Sequence, residues 1–214
     1  PEIISPPLMA YLATRKEDIT FSLGHSNATY EQAMDALATG TLRCATHLFN
    51  AMPPLHHRQP GCIAAICNTP QPVYASIIAD GWHVAWPMLS VARRLLPTRL
   101  FLITDAVTAT DTGPYPHQLS AGGDRYESAG VLSGSALTLW QAVVNVVEQT
   151  GCGVEEALRM GSLYPACAVQ QDSKLGRIAV GARADLLCFE WEKGEEGTHA
   201  SQRLQLERVL VFTN

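Results

Sequence analysis

Four short apolar runs in this sequence each end in a residue that can bind a metal or move a proton. The run 19–23 leads into Gly24-His25-Ser26-Asn27, and 42–45 leads into Thr46-His47-Leu48-Phe49-Asn50. The run 73–79 leads into Asp80-Gly81-Trp82-His83, and 99–103 leads into Thr104-Asp105. Two neutral imidazoles on adjacent strands can hold a divalent cation such as zinc. A catalytic zinc takes three protein ligands, keeps a position for water and lowers the pKa of that water to about 7. A nearby carboxylate can accept the water's proton and pass it to a leaving group, and Asp105 is the natural candidate. The constellation is that of a hydrolase, one ligand short. A single histidine at a strand end is usually a core or loop residue. Four such endings in succession point to one shared site.

The same residues allow a rival reading. Gly24-His25-Ser26-Asn27-Ala28 is G-x-S-x-A, with small residues flanking a serine between a strand and a helix. That pattern is similar to a nucleophile elbow, and Ser26, Asp105 and His117 would supply a triad in chain order. It leaves His47 and His83 without a role.

The elements that must position these residues alternate. Thr29, with Gln32 three residues on, reads as a capping box opening a helix whose apolar stripe is Ala33, Met34, Leu37 and Ala38 and which Gly40 ends. An apolar helical segment follows at 88–96. Strand runs alternating with helices predict βα units and a parallel sheet. Ligands bind at the C-terminal ends of such strands. A long buried helix is predicted over 135–149, stopped by Gly151, and another over 154–164, with Pro165 just beyond or inside it. After Lys174 the texture changes: 175–178, 186–189 and 208–212 read as strands, with a polar surface loop at 192–201. The expected division is a βα part, 1–174, and a small β part, 175–214.

Composition narrows the function classes. With 15 Lys+Arg against 20 Asp+Glu the chain carries a net charge of −5 and has no basic stretch, so neither nucleic acid nor an anionic membrane is an expected partner. Hydrophobic residues make up 47% and charged residues 16%, an ordinary globular balance. The uncharged stretch 129–147 contains Ser133, Ser135, Gln141 and Asn145 and is too polar to span a bilayer. The 6 cysteines form no C-x-x-C pair, and free thiols in a reducing compartment are expected, with Cys62 and Cys67 in the core. His56, His57, His117 and His199 read as solvated loop histidines, Trp140 as packing, and Asp80 as a residue that could equally cap its own turn.

Six segments occur in order: GHSNATY (24–30), ATHLFNAMPP (45–54), the Arg58-Gln59-Pro60-Gly61 turn, IIADGWHV (77–84), LITDA (102–106) and LSGSALT (132–138). Together they resemble the N-acetylglucosamine-6-phosphate deacetylases of the amidohydrolase superfamily. The closing GRIAVGARADLLCFE (176–190) is similar to the usual ending of that superfamily. The resemblance implies an α/β fold: the C-terminal part of a metal-dependent (β/α)8 TIM barrel with a small β-sandwich appendage. It implies that His25 and His47 are metal ligands and that Asp105 is the general base, then acid. It implies substrate contacts from Asn50, Ala51, Arg58, from Asp80, Gly81, Trp82 and His83, and from Leu132, Ser133 and Gly134. Arg58 would hold the phosphate, in the family sometimes that of a neighbouring subunit, which makes a homodimer the expected assembly of the full-length protein. The implied cofactor is a divalent metal ion, zinc first and iron or another divalent ion next. The implied partner is a small amino-sugar phosphate, in cytoplasmic amino-sugar catabolism.

Departures accompany the likeness. The family's third metal ligand, a Glu within an HLEGP-like motif, has no counterpart here, nor does the histidine that follows it. The chain does not begin with Met, and the expectation is a C-terminal portion, inactive or poorly stable alone because a half barrel has open sheet edges. The segment TDAVTAT (104–110) differs from the family's Ala-Pro-rich version. Another amidohydrolase, acting on a cyclic amide or as a deaminase, is the alternative, as is a non-catalytic assembly role.

Overall fold

The computed structural model describes residues 1–113, 116–192 and 203–210. Strands β1 (Phe21–Leu23), β2 (Leu42–Ala45), β3 (Tyr74–Ile78) and β4 (Leu100–Ile103) form one parallel sheet in the order β1-β2-β3-β4. Parallel strands covered on both faces should be apolar throughout. Ala75, Ile77, Ile78, Leu100 and Leu102 are all nearly or fully inaccessible. The helices are α1 (Pro6–Ala13), α2 (Tyr30–Ala38), α3 (Gly61–Asn68), α4 (Trp86–Leu95), α5 (Leu139–Thr150), α6 (Val154–Gly161) and α7 (Leu163–Ala168). Each connection from β1 to β4 carries a helix, as parallel pairing requires.

Local chemistry sets the ends. Thr29 accepts from the Gln32 N–H at 3.3 Å and the Gln32 side chain accepts from the Thr29 N–H at 2.9 Å, so the predicted capping box opens α2. Thr138 caps α5 by accepting from the Gln141 N–H at 3.1 Å, and Gly151 ends it in the left-handed region.

Three expectations are corrected. The helix predicted from 135 begins only at Leu139, because 131–135 is instead strand β7 of an antiparallel sheet of β5 (Gln118–Leu119), β6 (Arg125–Ser128) and β7 (Val131–Ser135). The helix predicted over 154–164 breaks at Ser162, with φ −136° and ψ −68°, into α6 and α7. Pro165 then lies in the first turn of α7, where its missing N–H has no intrahelical partner to lose. The run 175–178 forms turns rather than a strand, and Ile178 is 91% exposed. Sequence reading also missed α1, α3 and the β5–β7 sheet.

Strands β8 (Leu186–Glu192) and β9 (Arg203–Leu210) pair antiparallel, and Phe189 packs against Trp140 of α5 with ring centroids 5.3 Å apart. His199, most of the predicted 192–201 loop and residues 211–212 lie outside the described residues. Among the described residues all cysteines are free thiols, Cys62 buried and Cys67 partly so. No helix there is long and apolar enough to cross a membrane.

Candidate active site

Register brings the first two histidines together. Leu23 of β1 pairs with Ala45 of β2, and each strand delivers its histidine two residues further on. The His25 and His47 ring centroids lie 4.8 Å apart, tilted by 52°. The Thr46 N–H donates to Leu23 O at 2.8 Å and the Ser22 and Thr46 hydroxyls meet at 2.7 Å, which locks this end of the strand pair. Ser76 of β3 holds the other side: its Oγ accepts from the His47 N–H and its carbonyl from the Leu48 N–H, both at 2.7 Å. The loop beyond β2 is tightly wound, with positive φ at His47, Phe49 and Ala51. Asn50 N–H donates back to His47 O at 2.9 Å, and the Asn50 amide reaches Leu48 O at 3.4 Å. Ser26 N–H donates to Ala51 O at 3.1 Å, tying the two histidine loops to each other.

His47 is 6% exposed, and its Nδ1 is buried with no hydrogen-bond partner among the described residues. A buried orphan nitrogen costs about 1–3 kcal/mol. Beside a second imidazole it fits a borderline-soft divalent cation, which would take up that capacity. No set of three His, Cys, Asp or Glu in ligating proximity occurs among the described residues. The described residues thus bring two imidazoles together without a third such side chain beside them.

Asp105 follows β4 at the same end of the sheet and is exposed. Its φ of 49° is left-handed, a region few non-glycine residues occupy and Asp tolerates better than most. Ser135 holds it. The Ser135 N–H donates to Asp105 O at 3.1 Å, the Val107 N–H donates to Ser135 O at 3.2 Å, and the Ser135 hydroxyl donates to Thr104 O. Ser76 and Ser135 were both missed as positioning residues. A serine inside an otherwise apolar strand was the available signal for Ser76.

Asp80 is engaged within its own turn, as the capping alternative had it. Oδ1 accepts from the Trp82 and His83 N–H groups, each at 2.8 Å, and Oδ2 lies 2.6 Å from His83 Nδ1. Burial pushes this carboxyl's pKa up, but the bonds from the His83 side chain and N–H, the His83 charge and the Trp82 N–H outweigh it, leaving it below the ordinary carboxylate value. Gly81 sits at φ 81° against the Trp86 ring. Trp82 is half exposed, with the Arg125 guanidinium 3.9 Å above its ring.

Leu132, Ser133 and Gly134 lie on β7, Ser133 Oγ bonding His117 Nδ1 at 2.9 Å and Gly134 packed against Val107. Arg58 is exposed in the loop before α3, its backbone N–H donating to His56 Nδ1 at 3.3 Å. The serine triad is not assembled. Ser26 Oγ donates to Glu2 at 2.8 Å and accepts from the Ala28 N–H, while His117 is committed to Ser133.

Residues 8–203 match the amidohydrolase family. The chain is 39% identical over 183 residues to an N-acetylglucosamine-6-phosphate deacetylase of Danio rerio, covering 80% of this chain and 45% of that one. It is 34% identical over 204 residues to an N-acetylgalactosamine-6-phosphate deacetylase of Escherichia coli O157:H7, covering 91% of this chain and 52% of that one. The crystal structure of an N-acetylglucosamine-6-phosphate deacetylase from Pasteurella multocida superposes with a TM-score of 0.79 at 33% identity, over 87% of this chain and 50% of that one. The chain spans about half the length of the curated relatives it matches. With residues 8–203 matched, the chain belongs to the amidohydrolase family.

Proposed function

We propose that this chain carries the two metal-binding histidines and the proton-transferring aspartate of a hydrolase that converts N-acetylglucosamine 6-phosphate and water to glucosamine 6-phosphate and acetate. The observation that carries the reading is the His25–His47 pair at 4.8 Å with a buried, unpartnered Nδ1 on His47. These two side chains would hold a divalent ion, zinc by their chemistry, and a third ligand is not among the described residues. Such an ion supplies polarisation of the amide carbonyl and a lowered water pKa.

Asp105 takes the proton released as the water oxygen bonds to the acetyl carbon. It returns that proton to the nitrogen as the C–N bond breaks, so the sugar leaves as an amine and the acyl group as acetic acid, whose remaining proton passes to the amine or to solvent to give acetate. Arg58 offers a planar fork suited to the phosphate. Its exposure supports a site completed across a homodimer. Asn50, Ala51, the turn 80–83 and Leu132 to Gly134 line the sugar. The division into a barrel part, 1–174, and a β-sandwich part, 175–214, belongs to the same reading. A phosphorylated substrate and free cysteines support a cytoplasmic location in amino-sugar catabolism.

The N-acetylgalactosamine 6-phosphate named for the E. coli relative makes the C4 epimer the second substrate to assay. The test is a chimera joining this chain to the portion of the Pasteurella multocida protein that it does not match. Acetate release from N-acetylglucosamine 6-phosphate is expected, lost to a chelator and restored by zinc. Asp105→Asn should abolish turnover and keep the metal. A folded, metal-loaded chimera that releases no acetate from either epimer would falsify the proposal.

A further inference from the structure

The Asp80–His83 pair is built more tightly than a substrate-lining segment requires. Both side chains are buried, His83 8% and Asp80 3% exposed, and they meet at 2.6 Å. Asp80 Oδ1 already serves two backbone N–H groups, so Oδ2 is the oxygen left for the ring. An ionised carboxylate only accepts, so the proton between them sits on Nδ1 of His83. His83 Nε2 makes no hydrogen bond among the described residues. His83 lines a cavity of about 380 Å³ with Phe49, Met52, Leu55, Ile63 and Met88. Asp80 lines a different cavity, of about 330 Å³.

We propose that Asp80 acts on ligand through His83, as a positioning residue: its carboxylate pins the Nδ1 proton and leaves Nε2 as the ring atom that meets the sugar phosphate. The neutral ring then presents an acceptor lone pair to a ligand hydroxyl, and the protonated ring a charge-assisted donor to a phosphate oxygen. This rests on the deacetylase reading for the identity of the ligand. It does not rest on it for the state of the ring.

Asp80→Asn separates this role from simple turn capping. The asparagine Oδ1 still accepts from the Trp82 and His83 N–H groups, as Asn does in such turns. Its Nδ2 can only donate, so His83 Nδ1 must become the acceptor and the ring proton moves to Nε2. A turn cap alone would be indifferent to the change. Long-range proton–nitrogen NMR of the metal-free chimera reads the tautomer directly, without substrate. The expected result is protonated Nδ1 in the wild type at alkaline pH and protonated Nε2 in Asp80→Asn. In the chimera the variant should raise KM for the sugar phosphate about ten-fold or more, with kcat nearly unchanged. A wild-type ring protonated only on Nε2, or an unchanged tautomer in a folded Asp80→Asn chimera, overturns the proposal. If the variant does not fold, the wild-type spectrum still decides. If the tautomers behave as stated and the chimera is inactive on both epimers, the deacetylase reading fails and the Asp80–His83 assignment stands.

Discussion

His47 and His83 both follow strands of one sheet and both are largely buried, yet their surroundings are opposite. His47 keeps Nδ1 buried and, among the described residues, unpaired, with a second imidazole 4.8 Å away by ring centroid. His83 has Nδ1 spent on a carboxylate that is itself anchored by two backbone N–H groups. Unmet hydrogen-bonding capacity destabilises a fold and persists where a ligand will meet it. A fully paired imidazole has its orientation set before any ligand arrives. On the proposed reading, the difference separates a ring that would receive a cation from one that would be aimed at a substrate.

The largest effect should come from His47. A structural zinc is worth about 10–16 kcal/mol over four ligands, so losing one costs roughly 2.5–4 kcal/mol, about sixty- to several-hundred-fold in affinity. His47→Leu is expected to lose that affinity by metal titration while the metal-free chain keeps its stability or gains about 1 kcal/mol. Marked destabilisation of the metal-free chain would show that the ring is satisfied without an ion and would erase the contrast.

Asp80→Ala should act the other way, removing three hydrogen bonds at once and costing about 2–3 kcal/mol in urea unfolding. The pH dependence has a definite sign. The folded pKa of Asp80 lies below its ordinary value, so its contribution is complete above the unfolded pKa near 3.9 and is lost as pH falls through the folded value. The gap between wild type and Asp80→Ala should therefore be full at neutral pH and shrink below about pH 4. A gap that widens on acidification would contradict the pairing.

Gly81→Ala sharpens the comparison at the smallest cost, about 1–2 kcal/mol. The added Cβ would lie 2.5 Å from the Trp86 ring at a φ of 81°. Thermal unfolding should show the loss, with metal binding at His25 and His47 untouched. A parallel fall in metal affinity would mean that the two sites are coupled.

Much of this was legible before any coordinates. The four strand endings, the capping box at Thr29 and Gln32, and the buried α5 ending at Gly151 follow from apolar runs, local hydrogen bonding and glycine's conformational freedom, all of short range. The β5–β7 sheet was not legible, because Val-Leu-Ser-Gly-Ser at 131–135 carries no clear strand alternation and becomes a strand by pairing with 125–128. The break at Ser162 was hidden for a similar reason: an apolar pattern runs across it. The roles of Ser76 and Ser135 depend on partners 29 and 31 residues away in the chain, and no local pattern announces those.

The residue order by itself determined the βα rhythm, the chemistry at each strand end and the family likeness, because periodicity and motif spacing are local properties of the chain. Only the tertiary structure decided which of those groups meet. The Leu23–Ala45 register puts two imidazoles side by side, a buried carboxylate claims His83 Nδ1, and His47 Nδ1 has no partner among the described residues. The physical reason is that strand register and desolvation arise from contacts between residues distant in sequence, and those contacts determine which polar atoms are paired and which remain to bind.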